Sequence, residues 1–140
     1  MLVNQIAVFI ENRKGRLHEL SSVLAKEKID LLTLSIADTQ DFGIVRLITT
    51  NNVVAIKALR EAGFTVTGTD LIGIEINDVP GALAGVLGVL TAGDIDIEYL
   101  YSYARTEGHN AIILIKVSNV DKALKVLSTA DVRILDKDIF

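Results

Sequence analysis

The sequence predicts an α+β chain of two consecutive βαββαβ units, each an antiparallel sheet with its helices on one face. Three observations carry that expectation. The first is a repeat: Ile6-Ala-Val-Phe-Ile10 followed by Glu11-Asn-Arg-Lys-Gly15-Arg-Leu17 returns as Ile72-Gly-Ile-Glu-Ile76 followed by Asn77-Asp-Val-Pro-Gly81-Ala-Leu83. The register then holds, with Val23-Leu24 matching Val89-Leu90, Ile29-Asp30 matching Ile95-Asp96, and Leu34 matching Leu100. An offset of about 66 residues is too long for a solenoid unit and right for a small domain. The second is the order of strand-like and helix-like apolar spacing, which is the same in both copies. The third is composition: half of the 140 residues are apolar, aromatics are few and Trp is absent, so Ile, Val, Leu and Ala must build two modest cores.

In the first copy, Val3 to Ile10 is apolar and β-branched and reads as a buried strand. Arg16 to Lys28 sets Leu17, Leu20 and Leu24 on one helical face and turns His18, Glu19, Ser22 and Lys26 elsewhere. Ile29 to Ala37 is a second strand, Asp38-Thr-Gln-Asp41 a polar turn, and Gly43 to Thr50 a third strand. Asn51 and Asn52 suit the start of a helix running through Glu61, and Gly63 suits its stop. Phe64 to Thr67 closes the unit as a fourth strand. The second copy reads as strand Leu71–Ile76, helix Gly81–Ala92 with Gly93 as stop, strands Ile95–Tyr103 and Asn110–Val117, helix Val120–Thr129 and strand Val132–Leu135. This is the split βαβ, or ferredoxin-like, arrangement twice over. Thr67-Gly68-Thr69-Asp70 is the seam, which divides the chain into residues 1–68 and 69–140.

Charge and residue usage exclude several classes. A net charge of −4 argues against nucleic acid or an anionic membrane as partner, because both need concentrated Lys and Arg. Without cysteine there is no disulfide frame, thiol nucleophile or thiolate metal site. The Met1-Leu-Val-Asn start lacks a signal pattern, and Val79 to Gly93 is too short and glycine-rich to span a bilayer. The expectation is a cytoplasmic protein.

The repeated turn from first strand to first helix is where chemistry is expected. A helix start leaves four backbone N–H groups without intrahelical partners and carries partial positive charge. A glycine there lets a carboxylate approach the backbone closely. A nearby Asp or Asn oxygen accepts from an α-ammonium group, so the combination suits an amino-acid zwitterion. The same residues also suffice for a tight turn that binds nothing.

On these motifs the chain resembles the ACT-domain family, small βαββαβ modules that bind amino acids and regulate metabolism. The resemblance covers nearly the whole chain as two copies and rests on Glu11 to Leu17, on Asp78 to Leu83, and on the Ile29-Asp-Leu and Ile95-Asp-Ile strand openings. It implies ligand-binding residues Asn12, Lys14, Gly15, Arg16 and Leu17 in one copy, and Asp78, Val79, Pro80, Gly81, Ala82 and Leu83 in the other. The second copy keeps the family's Asp-x-Pro-Gly form. The first replaces its Asp with Asn12 and its Pro with Lys14, and surrounds Gly15 with cations, which favours a carboxylate over an ammonium group there. The resemblance implies an amino-acid sensor without catalytic domain or cofactor, with the ligand held at a domain or subunit interface and a metabolic enzyme as the partner it acts on; a homodimer is the expected assembly. The alternative is an obligatory regulatory subunit of a biosynthetic enzyme, since Glu11-Asn12 with Gly15 and Leu17 also resembles acetolactate synthase small subunits.

Other constellations look chemical and read otherwise. Asp94, Asp96 and Glu98 alternate along a strand, but charges on an edge strand commonly block unwanted pairing, so no metal site is assigned. Tyr99, Tyr101 and Tyr103 share a face with Ile95 and Ile97. An RNA platform would need aromatics on the first and third strands and basic surroundings, so these rings read as an interface or pocket wall. Gly81, Gly85 and Gly88 lack the spacing of a dinucleotide or phosphate loop. His18 and His109 occupy unrelated points of the two copies and read as surface residues, and no nucleophile, base and orienting group recur at one place. The helix from Gly81 to Ala92 has no charged residue, with Leu83, Val86, Leu87 and Leu90 on one side and Gly85, Gly88 and Ala92 on the other. A helix apolar all round is normally buried all round, so this outer face is expected to meet another helix, preferably from a second copy.

Overall fold

A computed structural model of the chain describes residues 2–38, 40–104 and 110–136. Its elements are β1 (Leu2–Glu11), α1 (Arg16–Lys26), β2 (Leu31–Asp38), β3 (Phe42–Thr49), α2 (Asn52–Glu61), β4 (Thr65–Asn77), α3 (Ala82–Ala92), β5 (Ile97–Ala104), β6 (Asn110–Val117), α4 (Val120–Ser128) and β7 (Arg133–Ile134). They form two compact units, one of Asn4–Thr69 and one from Asp70 onward that also takes in Leu2 and Val3.

The first unit orders its strands β2-β3-β1-β4, with β1 antiparallel to β3 from Ile6↔Leu47 to Glu11↔Phe42. Alternate residues of these strands point to the helices, so Ile6, Val8 and Ile10 join Val45 and Leu47 beneath Leu20 and Leu24 of α1 and Ala55 and Leu59 of α2. Each fully buried Leu or Ile contributes about 1.5–3 kcal/mol. Leu17, expected on that buried face, stays exposed at the first turn of α1. The second unit orders β4-β6-β5, with β7 on the other side of β4. Ile72 and Ile74 meet Ile113, Ile115 and Val117 under Val86 and Leu90 of α3 and Ala123 and Leu127 of α4. The expected α+β class, two ferredoxin-like arrangements in tandem, is the observed one.

Several boundaries differ from the sequence reading, each for a local reason. The two strands expected on either side of the seam are one: β4 runs unbroken from Thr65 to Asn77. Gly68 keeps a negative φ, and the threonines flanking it favour extended backbone. Helix α1 ends at Lys26 rather than Lys28, because Lys28 takes a left-handed φ of 56°. At the matching point Asp94 takes φ 55°, while Gly93, the expected stop, is the C-cap of α3 with an ordinary φ of −81°. Asp94 and Asp96 therefore precede β5 instead of alternating along it with Glu98, and the Asp94 carboxylate faces Lys122 Nζ at 3.4 Å. A bulge between Ile97 and Tyr99 corrects the tyrosine face as well. Ile97 and Leu100 pack on the helix side, whereas Tyr99, Tyr101 and Tyr103 stand opposite Lys116, Leu114 and Ile112 on the other face. One extra residue in a strand flips every side chain beyond it. His109 and Thr39 lie outside the described residues.

Candidate functional site

The two repeated turns have one geometry. Gly15 (φ 92°, ψ −14°) and Gly81 (φ 91°, ψ −14°) are the N-caps of α1 and α3, and no side chain caps either helix among the described residues. The left-handed φ explains the glycine, since a Cβ in that conformation meets the following carbonyl. In both turns the first helical N–H folds back into the loop, Arg16 N to Arg13 O at 3.3 Å and Ala82 N to Val79 O at 3.2 Å. Leu17 and His18 in α1, and Leu83 and Ala84 in α3, then open the helices behind it. Both turns are exposed, and a Cβ built on either glycine would have open space around it.

The side chains around the turns differ. In the first unit, Asn12 is tied to the β2–β3 turn, its N–H donating to Asp41 O at 3.0 Å and its Nδ2 to Gln40 O at 3.4 Å. Lys14 is exposed. Arg16 points back onto the protein, with Nη1 2.8 Å from Glu19 Oε2 and Cζ 4.3 Å from the centroid of the Phe64 ring. Only 15% of its side chain is exposed, and its buried Nε has no hydrogen-bond partner among the described residues. In the second unit Asp78, Val79 and Pro80 are exposed and Leu83 packs against the core.

Beside the second turn lies a cleft of about 610 Å³. Val79, Ala82 and Gly85 of the sequence-predicted residues line it, together with Val86 and Val89 of α3. Asp78, Pro80 and Gly81 belong to the exposed turn next to it. The rest of the lining comes from Ile76 and Asn77 at the end of β4, and from Asn110 and Ala130 to Arg133, which the repeat did not single out. Strand β7 pairs with β4 at Ile74 and Glu75, so among the described residues Ile76 and Asn77 are paired by β6 on one side and by no β7 residue on the other. Glu75 organises the rim: its Oε1 accepts from Asn110 Nδ2 at 2.7 Å and its Oε2 faces Arg133 Nη1 at 2.9 Å. These partners converge through strand pairing, which no local sequence signal marks.

The remaining predicted residues are placed as follows. Gly85, Gly88 and Ala92 are exposed on α3, and a Cβ on either glycine meets nothing within 4 Å. Tyr99, Tyr101 and Tyr103 are half-buried. Among the described residues no group of three His, Cys, Asp or Glu converges for a metal ion, and no helix is long and apolar enough to cross a membrane.

Two ferredoxin-like units, each opening its first helix behind a left-handed glycine, define a tandem α+β module. The chain belongs to the ACT family: the family model described as an ACT domain pair matches residues 1–139. Its structure is similar to that of protein BT0572 from Bacteroides thetaiotaomicron, with 46% identity and a TM-score of 0.90 over 96% of this chain and 92% of that one. It is also similar to the regulatory subunit of aspartate kinase from Thermus thermophilus, in a ligand-free form, at 17% identity and TM-score 0.64 over 93% and 94% of the two chains. The corresponding subunit from Thermus flavus gives 16% identity and TM-score 0.64 over 92% and 93%. At those identities the likeness is one of fold. No curated protein matches the chain.

Proposed function

We propose that this chain is a non-catalytic sensor that binds an amino acid and passes the binding on to amino-acid metabolism in the cytoplasm. The observation that carries the reading is the twice-built turn, a left-handed glycine opening an uncapped helix. Such a turn presents N–H donors and the positive helix end to a carboxylate. The ligand sits at Asn12, Gly15 and Leu17 or at Asp78, Gly81 and Ala82, with its carboxylate on the helix start. A second copy of the chain covers the outer face of α3 at Gly88 and Ala92, and at least one of the three tyrosine rings meets that copy or the ligand. Binding shifts the packing of this assembly, which is how a ligand with different affinities for two arrangements does work at a distance.

Thermal-shift measurements against each of the twenty amino acids test the reading. A ligand at about 100 times its Kd adds roughly 2.7 kcal/mol to the native state. A stabilised transition with one or a few amino acids is expected, and indifference to all twenty overturns it. The alternative, a permanent subunit of a biosynthetic enzyme of the acetolactate synthase or aspartate kinase kind, draws on the whole-length likeness to separate regulatory subunits. It requires the chain, expressed untagged in its own cell, to co-purify with that enzyme in the absence of ligand.

A further inference from the structure

The reading above leaves two turns as candidates, and the side chains behind them separate the two. The repeat sets Arg16, Glu19 and Val23 against Ala82, Gly85 and Val89. The helix caps Asn51 and Asn119, and the buried Leu59 and Leu127, set Phe64 against Val132. In the first unit this place is filled by the protein itself. The Arg16 guanidinium lies over Phe64, clamped by Glu19 at 2.8 Å, and its side chain is mostly buried. In the second unit the same positions hold Ala, Gly and Val, and the space is the cleft of about 610 Å³.

We propose that the chain binds one amino acid, in the second-unit cleft only, and that this ligand carries an apolar side chain. The proposal rests on the amino-acid-sensor reading and narrows it. Ile76, Ala82, Val86, Val89 and Val132 line the cleft, and the mostly buried Glu75 carboxylate beside them is already held by Asn110 and Arg133. Arg133 is already paired with Glu75, whereas Asp131 is exposed and available to an α-ammonium group. With the α-carboxylate on the start of α3 and the ammonium at the rim, the side chain points onto the valines. A charged side chain would lie against these apolar residues, with Glu75 and Arg133 already satisfied by each other and by Asn110, and burying its charge there is strongly unfavourable. In the first unit, Arg16 and Phe64 stand in for the ligand and close the site.

Isothermal titration of the full chain tests this, with leucine, isoleucine, valine, methionine, lysine, arginine and aspartate as separate titrants. One of the four apolar amino acids is expected to bind at one per chain and at least ten-fold more tightly than any charged one. Ala82→Arg with Val132→Phe rebuilds the first unit's filling and should weaken binding at least ten-fold, while Arg16→Ala leaves it unchanged. Gly85→Glu, at an exposed helical position, should weaken binding with the circular dichroism preserved, so a folding failure of the double variant does not decide the matter. Two ligands per chain, a charged amino acid as the tightest ligand, or binding lost in Arg16→Ala but kept in Gly85→Glu would overturn the proposal while the sensor reading stands. No binding by any of the twenty amino acids removes both.

Discussion

A Cβ on Gly93 would stand 2.6 Å from Cγ2 and 2.8 Å from Cγ1 of Val126, so the backbone at the end of α3 lies directly against a side chain of α4. Gly93 has an ordinary φ of −81°, and its requirement is space rather than conformation. Val126 has no easy escape, because a β-branched side chain in a helix is nearly confined to one rotamer. Gly93→Ala should therefore cost about 1–3 kcal/mol, the usual range for overpacking. Adding Val126→Ala removes both clashing carbons and should recover part of that loss. Urea midpoints of the two single variants and the double variant check this, and additive losses would show that the contact is not the cause.

The requirement at Gly81 is the opposite. Nothing lies within 4 Å of a Cβ built there, but φ is 91°. Gly81→Ala should then cost about 1–2 kcal/mol from the left-handed backbone alone. Gly81→Asn should cost less, since Asn visits that region more readily, and Gly81→Val more. Gly15, with the same angles and the same open space, should give the same ranking in the first unit. Equal stability for all three Gly81 variants by chemical denaturation would refute the backbone account.

Asn51 and Asn52 look alike in sequence and do different work. Asn51 caps α2, accepting from Val54 N at 3.2 Å. Asn52 accepts from both Thr49 N and Thr49 Oγ1 at 2.9 Å and donates to Asn4 O at 2.7 Å, joining the start of α2 to β3 and β1. Loss of a cap costs typically about 1 kcal/mol. Loss of Asn52 strands a partly buried N–H as well, a penalty of about 1–3 kcal/mol. Asn52→Ala is expected to destabilise more than Asn51→Ala in thermal or urea unfolding, and the reverse order would contradict this assignment of roles.

The elements that sequence reasoning found are those whose periodicity is sustained. The Ile-rich strands at Ile6 and Ile72 and the Leu17, Leu20, Leu24 spacing mark themselves, and their repetition in register supplies the topology. What escaped it depends on single residues or on distant pairs. The seam around Gly68 reads as a break between two strands, yet nothing beside it demands one, and β4 continues. The bulge after Ile97 costs one residue of register and moves three tyrosines to the other face. Of the candidate site, the turn was legible because glycine, helix start and repeat coincide there. The rest of the lining was not, because Asn110 and Arg133 reach Glu75 only once the strands pair. The Arg16–Phe64 contact spans the whole of the first unit, and its one trace in the sequence is a pair of large residues where the second copy has Ala82 and Val132.

Gly88 separates the stability of the chain from the proposed association of two copies. It is exposed in the middle of α3, and an added Cβ would meet nothing within 4 Å. A helical glycine there costs about 1 kcal/mol relative to alanine, and the matching residue of α1 is Ser22 on an ordinary polar face. Taken alone, Gly88→Ala should stabilise the dissociated chain by about 0.4–1 kcal/mol. If a second copy packs closely on this face, the same methyl group obstructs the approach, and Gly88→Glu adds a charge that must be desolvated. The expected pattern is therefore a raised midpoint for Gly88→Ala at the lowest protein concentration together with weakened association. For Gly88→Glu the mass by light scattering should fall to that of one chain, with the helical circular dichroism intact. A wild-type chain that scatters as a monomer at high concentration, or a Gly88→Glu protein that still scatters as a dimer, would remove Gly88 from any interface.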